Sequence, residues 1–381
     1  MEPFPVRART AALGAVPLVW AAATADQSHI NLGDALSPVM VALLSSLPVV
    51  HAAHSARGVR MAAVGTIGHM LQNGDVTVWG TGVSRYCNPH AVSRVERVPF
   101  APYPGTRYRV AATRGPVSRA LFNEENAVRP AVFGDPVWLL PQFHRPPAEK
   151  KWDLGVIVHL SELNDKELDT FVRQELQRYH IPDEFRDSVR IIHTRTAISA
   201  DALRARLDEI LACRRLVSTS LHGMVFAESY GIPCLYFAPR GRRPGLESRI
   251  LDPNDGNDLR ITDLYQGLGL DRLQVYVQAR RAPTDWAHVM RAIDEAWEPK
   301  PFDYEPLLGA FPLDVAPLHP PPGQTVFDHP LIRGLPFQQT SLLRGDAGAD
   351  TGLQRLARLF RKPAAEPRDA AAAPPQPSGP Q

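Results

Sequence analysis

Short apolar runs recur along the chain and alternate with amphipathic stretches, and this rhythm limits the fold more than any other feature. It is the pattern of a doubly wound α/β chain, in which buried parallel strands are joined by helices that cover both faces of the sheet. Residues 16–21, 60–64, 76–79 and 107–111 read as strands. A helix is expected over 37–47 after a Ser-Pro start, and another from Val117, where Pro116 in the first turn needs no N–H.

The alternation resumes in the second half. Strands are expected at 154–160, 189–193 and 216–218, with helices over 165–179, 199–212 and 286–297 and an extended return at 301–312. The helix after Ser199 places Leu203, Leu207, Ile210 and Leu211 on one apolar face, leaving an Arg- and Asp-rich face for solvent. Between 141 and 151 the sequence turns polar and proline-rich. A length of 381 residues exceeds what one core usually organises, so two domains are expected. The division read from these signals is a tail at 1–15, an N-terminal Rossmann-like domain at 16–148, a C-terminal one at 149–312 with a returning C-terminal helix, and an extended, disordered tail at 313–381. In that tail Ala, Pro, Gly and charge dominate from about Leu335, and a short basic amphipathic helix is conceivable over 353–362.

Charge and cysteine usage exclude several classes. The 42 Lys plus Arg nearly balance the 40 Asp plus Glu, and no long basic run marks a nucleic-acid track. Arg far outnumbers Lys, which supplies forked donors for carboxylate or phosphate. Cys87, Cys213 and Cys234 lie far apart without a C-x-x-C spacing, so neither a zinc site nor a disulfide framework is expected, and a cytoplasmic location fits. Residues 11–23, after Arg7 and Arg9, imitate a secretory signal. Gly14 and Pro17 interrupt them, and they are too short to span a bilayer as a helix. The competing reading is a first buried strand.

The segment from Leu216 to Phe237 carries the clearest chemistry. A β run passes through Ser218-Thr219-Ser220 into a helix that opens at Leu221-His222-Gly223, ends at Gly231-Ile232-Pro233 and is followed at once by another strand. Ligands of open α/β sheets gather at the carboxyl ends of strands, where the free N–H groups of the next helix attract anions. His222 would stand there for acid-base work, unless it merely caps the loop. Arg114 and Arg119 flank a second helix start, while Arg240, Arg242, Arg243 and Arg249 crowd the loop after Phe237, where a solvated role is the simpler one. In Asn31-Leu32-Gly33-Asp34 the glycine permits close backbone approach, and Asn31 or Asp34 could bind a sugar hydroxyl or only cap the helix. Gly65-Thr66 and Gly80-Thr81-Gly82 would be strand-end turns at the same cleft, and Gly134-Asp135-Pro136 a plain turn. The sequence has no phosphate-binding P-loop, H-E-x-x-H helix or G-x-S-x-G elbow, so group transfer without a metal remains.

In order, Asn31-Leu32-Gly33-Asp34-Ala35-Leu36-Ser37-Pro38, Gly65-Thr66-Ile67, Val78-Trp79-Gly80-Thr81-Gly82, Arg114-Gly115-Pro116-Val117-Ser118-Arg119, Gly134-Asp135-Pro136 and Ser218-Thr219-Ser220-Leu221-His222-Gly223 resemble the polysaccharide pyruvyl transferase family. Asp263-Leu264-Tyr265, Gly267-Leu268-Gly269 and the stretch 306–312 look like its late segments. The resemblance implies two Rossmann-like domains around a central cleft, a GT-B-like arrangement. The activity it implies is transfer of pyruvate from phosphoenolpyruvate onto a sugar of an exopolysaccharide or its precursor as a cyclic ketal, with no cofactor. It makes residues 16–21 a strand and His222 the catalytic residue. Donor binding falls to Arg114, Arg119, Ser220, Leu221 and Gly223, and acceptor binding to Asn31, Gly33 and Asp34. One departure stands out: some members carry Arg just before the Leu-His pair, where this chain has Ser220, and Arg240 or Arg243 could substitute.

The expected partners are phosphoenolpyruvate and a sugar acceptor. A lipid-linked acceptor would place the protein at the inner face of the membrane, peripherally and without a transmembrane segment. Two rivals stay open on sequence alone: a GT-B glycosyltransferase using a nucleotide sugar, and a non-catalytic scaffold of polysaccharide assembly.

Overall fold

The computed structural model describes residues 4–339 except 92, 124, 125, 148, 255, 256 and 301. The first half runs α1 (Pro5–Leu13), β1 (Val16–Val19), β2 (His29–Asn31), α2 (Leu32–Ser45), β3 (Val49–His51), β4 (Arg60–Ala62), β5 (Gly74–Thr81), β6 (Thr106–Thr113) and α3 (Pro116–Leu121). The second half runs β7 (Leu154–Val158), β8 (Val189–His193), β9 (Arg195–Ala197), α4 (Ala200–Leu211), β10 (Leu216–Ser218), α5 (Leu221–Ser229), β11 (Cys234–Ala238), β12 (Gly245–Ile250), α6 (Leu259–Gly267), β13 (Arg272–Val277), α7 (Trp286–Ala296), α8 (Glu305–Gly309) and α9 (Pro330–Arg333).

The first sheet is wholly parallel, in the order β3-β1-β4-β5-β6. The second has the order β12-β13-β11-β10-β7-β8, parallel except for the antiparallel edge strand β12. Counted along its own parallel strands, each sheet follows the doubly wound order 2-1-3-4-5, whose switch point lies between its first and third strands. In the first sheet that point lies between β1 and β4; in the second it lies between β7 and β10. Strands buried on both faces need continuous apolar runs, which is why Val16–Val19 and Leu154–Val158 are buried throughout. The mixed α/β architecture with parallel sheets agrees with a Rossmann-like fold.

The halves are bound together. β2 pairs antiparallel with β9, setting Asn31 opposite Arg195. The largest buried cluster draws on both halves, with Val39 and Met40 of α2 and Val137 and Leu139 of the connecting segment joined to Leu203, Leu216 and Phe226. Separate clusters cover the outer faces: Val76, Val110 and Phe122 in the first half, Val156, Phe237 and Trp286 in the second.

Several expectations need correction. The helix expected over 37–47 is α2 and starts at Leu32, because Asn31 accepts the Gly33 N–H and caps it there. Pro38 sits inside that helix, not at its start. Residues 165–179 are not a helix. Arg195 Nη1 donates to the carbonyls of Asp165 (2.5 Å) and Glu167 (3.1 Å), and Leu163 bridges Val172, which leaves only one 3-10 turn at Gln177–Tyr179. Residues 5–13, expected as tail, form α1 with Val6 buried. Residues 301–312, expected as an extended return, contain α8. Residues 313–339 are not disordered: Leu318, Phe327, Ile332 and Phe337 are buried in the central cluster. The helix considered at 353–362 lies outside the described residues, among which no helix is long and apolar enough to cross a membrane.

Candidate functional site

Two helix starts meet at the site. On the C-terminal side the turn from β10 into α5 is locked by Ser218. Its Oγ accepts the Ser220 N–H at 2.9 Å and donates toward the carbonyls of Ile157 and Ser220. Gly223 lies directly over that hydroxyl, since a Cβ there would sit 2.2 Å from Ser218 Oγ. Leu221 is buried in the central cluster and anchors the helix start. Ser220 is the N-cap residue, but its side chain makes no capping bond, so it does not occupy the first-turn N–H groups of α5.

On the N-terminal side, the first turn of α2 faces this helix. The His222 ring lies on the backbone of Gly33, where a Cβ would come within 2.1 Å of ring atoms. Any side chain at 33 would displace the imidazole. Asp34 follows, with Oδ1 at 4.0 Å from His222 Nε2. Gly65, at φ +109 after β4, keeps open the space against that carboxylate. Asn31, Gly33, Asp34 and His222 are thus brought together at the switch points of the two sheets.

Burial shapes both proton-carrying groups. His222 is pushed down to about 3 by desolvation first, then by the charges of Arg260 and Arg114. Asp34 is pushed up to about 7 by desolvation, against the opposing pull of Arg260 and a hydrogen bond with Asn31. The site therefore holds a neutral imidazole beside a carboxyl group that keeps a proton close to neutrality. His222 Nε2 is buried with no hydrogen-bond partner. A buried ring nitrogen is seldom left unsatisfied, and this one faces the Asp34 carboxyl across a gap that a substrate hydroxyl could fill. Asp135, raised to about 6 by burial, caps the 3-10 helix Pro136–Gln142 behind Asp34.

The arginines divide sharply. Arg114 is near enough to act on His222, but its side chain is only 2% exposed. Its Nη2 pairs with Asp263 of α6 at 3.0 Å, Nε donates to the same carboxylate and Nη1 donates to Thr66 Oγ1 at 2.7 Å. Asp263 also accepts from the Ser118 N–H and Oγ, while Gly115 packs on the Asp263 backbone. Arg114 therefore ties the halves together and has no open face for a ligand. Arg119 is buried, with Nη1 donating to Val128 O at 3.2 Å in the first half. Arg240, Arg242 and Arg243 are exposed on the loop before β12.

Two residues of the site are absent from the sequence reading. His159, the first residue after β7, sits at the carboxyl end of a strand beside the second switch point, a position the strand-end rule could have flagged. Its N–H donates to Thr219 Oγ1 at 2.8 Å, within the turn that leads to His222. Burial pushes its imidazole down to about 4; Nδ1 accepts the Ser161 N–H at 3.2 Å and lies 2.7 Å from Ser161 Oγ, while Nε2 lies 3.2 Å from Arg260 Nη1. Arg260, at the start of α6, bears no motif and only the fold brings it here. Among the described residues no three His, Cys, Asp or Glu side chains group as ligands of one metal ion.

Residues 70–241 match the family model of polysaccharide pyruvyl transferase. That stretch takes in Arg114, His159 and His222, and leaves Asp34 before it and Arg260 after it. An uncharacterized protein of Acanthamoeba polyphaga mimivirus is 31% identical over 146 residues, covering 37% of this chain and 41% of its own length. The chain thus spans about two fifths of that relative. No solved structure matches the chain. Over residues 70–241 the chain is therefore similar to polysaccharide pyruvyl transferases, as the resemblance read from the sequence leads one to expect.

Proposed function

We propose that the protein transfers pyruvate from phosphoenolpyruvate onto a sugar of an exopolysaccharide or its precursor, as a cyclic ketal and without a cofactor, in a GT-B-like cleft between its two sheets. The observation that carries this reading is the unpartnered, buried Nε2 of His222 at 4.0 Å from the raised Asp34 carboxyl, at the start of α5.

Ketal formation needs proton delivery and removal beside an anion-holding pocket. A proton adds to the methylene carbon of phosphoenolpyruvate, and one sugar hydroxyl forms a C–O bond at C2 while giving its proton to a base. The C2–O bond to phosphate then breaks, phosphate leaves with the electron pair, and the second hydroxyl closes the ring as its proton departs. His222 handles these protons. Its neutral form suits the base, and the arriving donor dianion raises its pKa toward the acid it must also be. Asp34 lies within reach of the same hydroxyl and supports the imidazolium as it forms. The acceptor lies against the turn from Asn31 to Asp34. A lipid-linked acceptor would bring the protein to the inner face of the membrane.

The test is release of inorganic phosphate from phosphoenolpyruvate in the presence of polysaccharide or lipid-linked oligosaccharide from cells expressing the protein, with the ketal methyl resonance followed by NMR. His222→Ala, with an unchanged circular dichroism spectrum, should lower turnover by about 10²-fold or more. Full activity in that variant, or label entering product from a nucleotide sugar and not from phosphoenolpyruvate, would overturn the assignment.

A further inference from the structure

Anion capture in this cleft needs a cation, and the sequence leaves its place open. Ser220, the N-cap residue of α5, carries no charge. Arg114 is closed off by Asp263 and Thr66. Arg240 and Arg243 lie exposed on a surface loop. We propose that Arg260, aimed by Asp258 and His159, receives the anionic end of the donor. This inference rests on the pyruvyl transfer reading.

Asp258 caps α6 and holds Arg260 by a two-point bond, Nε to Oδ1 at 3.0 Å and Nη2 to Oδ2 at 2.6 Å. Nη1 lies 3.2 Å from His159 Nε2, and the His159 backbone is fastened to Thr219, three residues before His222. The guanidinium is therefore fixed relative to the catalytic loop through a short chain of hydrogen bonds. Asp258 takes two of its N–H groups and His159 Nε2 faces a third. Among the described residues two remain, one on Nη1 and one on Nη2, which together form the outer edge of the fork that a carboxylate or phosphate accepts side by side. Unlike Arg114, the side chain is 32% exposed, so an incoming anion can reach that edge.

Its charge is also felt where the chemistry occurs. After burial, Arg260 is the leading influence holding His222 down, and it opposes the rise of Asp34. A donor anion on Arg260 would offset that influence and ease protonation of His222, against the larger effect of burial.

The experiment uses the full chain and measures binding of phosphoenolpyruvate, inorganic phosphate and pyruvate by calorimetry beside turnover. Arg260→Gln keeps polar contact with Asp258 and His159 while removing the charge. It should weaken phosphoenolpyruvate binding by about 10- to 100-fold, the loss expected for a charge-assisted two-point contact. Loss of phosphate binding in parallel would place the phosphate on Arg260, and loss of pyruvate binding would place the carboxylate there. Ser220→Arg added to Arg260→Gln should restore part of the affinity. Wild-type protein that binds phosphoenolpyruvate with an affinity the Arg260→Gln change leaves intact would overturn the inference alone. Wild-type protein that binds none would instead remove the functional reading on which it rests.

Discussion

His222 and Asp34 owe their unusual protonation to the same burial acting on opposite charges. A folded pKa of about 7 for Asp34, against 3.8, means that the folded chain holds a proton the unfolded chain has released. Its contribution to stability is fully present below pH 4 and is lost as pH rises through 7; a shift of that size amounts to at most about 4 kcal/mol. His222 has the opposite sign, contributing above pH 6.5 and losing that contribution as pH falls toward 3. Asp34→Asn removes only the Asp34 part. The variant should therefore gain thermal stability over the wild type progressively between pH 4 and 7, with a constant difference above that. A difference that stays the same from pH 4.5 to 8 would mean the carboxyl is not held neutral. At this scale both residues are visible in the sequence as single candidates, because a histidine after a strand and an aspartate after a glycine carry local signals. Their pairing is not visible. It depends on Gly33 giving the imidazole a flat backbone to lie on, from the other half of the chain.

Elements lie where periodicity places them when their own residues decide the matter, and elsewhere when a distant group does. The helix after Ser199 begins at its expected cap, because Ser199 Oγ accepts the Ala202 N–H and four aliphatic residues make its buried face. Residues 165–179 carry a helical composition, yet Arg195 takes the carbonyls of Asp165 and Glu167 at its start and holds that end as a turn. No window of local sequence contains that arginine. The same holds for α3 and α6, which meet through Asp263. This one carboxylate accepts from Arg114, the Ser118 hydroxyl and the Ser118 N–H, so removing it strands a buried guanidinium together with two further donors. Asp263→Ala should cost about 3–5 kcal/mol in urea denaturation, the usual penalty for breaking one side of a buried pair. Asp263→Asn, which keeps acceptor capacity, should cost less. If Asp263→Ala left stability unchanged, Arg114 would be free to turn toward a ligand, and its assignment as a tie between the halves would fail.

For the whole molecule, the doubly wound alternation is legible because buried parallel strands must be apolar throughout. The joining of the two sheets is not, since the residues responsible are ordinary apolar ones with no pattern of their own. The C-terminal return makes the point. Ala316 and Leu318 donate their N–H groups to Leu43 and Leu44 at the end of α2, in the pairs Ala316 to Leu44 and Leu318 to Leu43. Gln338 then bridges Ala23 beside the first sheet. Between these points Phe327 is fully buried against His144, whose ring bonds Asp208 of α4, while Asp328 pairs with Arg204 of the same helix. The segment thus spans from the N-terminal sheet to a C-terminal helix, and a low-complexity composition further on hides that role. Phe327→Ala should lower stability by about 3–5 kcal/mol through lost burial and the cavity left behind. Because the central cluster is shared, the loss should be felt by both halves at once. Unfolding in urea followed by circular dichroism and by tryptophan fluorescence should then give coincident transitions in the wild type and in the variant, shifted together to lower urea. Two separated transitions, with only one moved by the substitution, would mean that the halves fold independently and that the segment serves one of them alone.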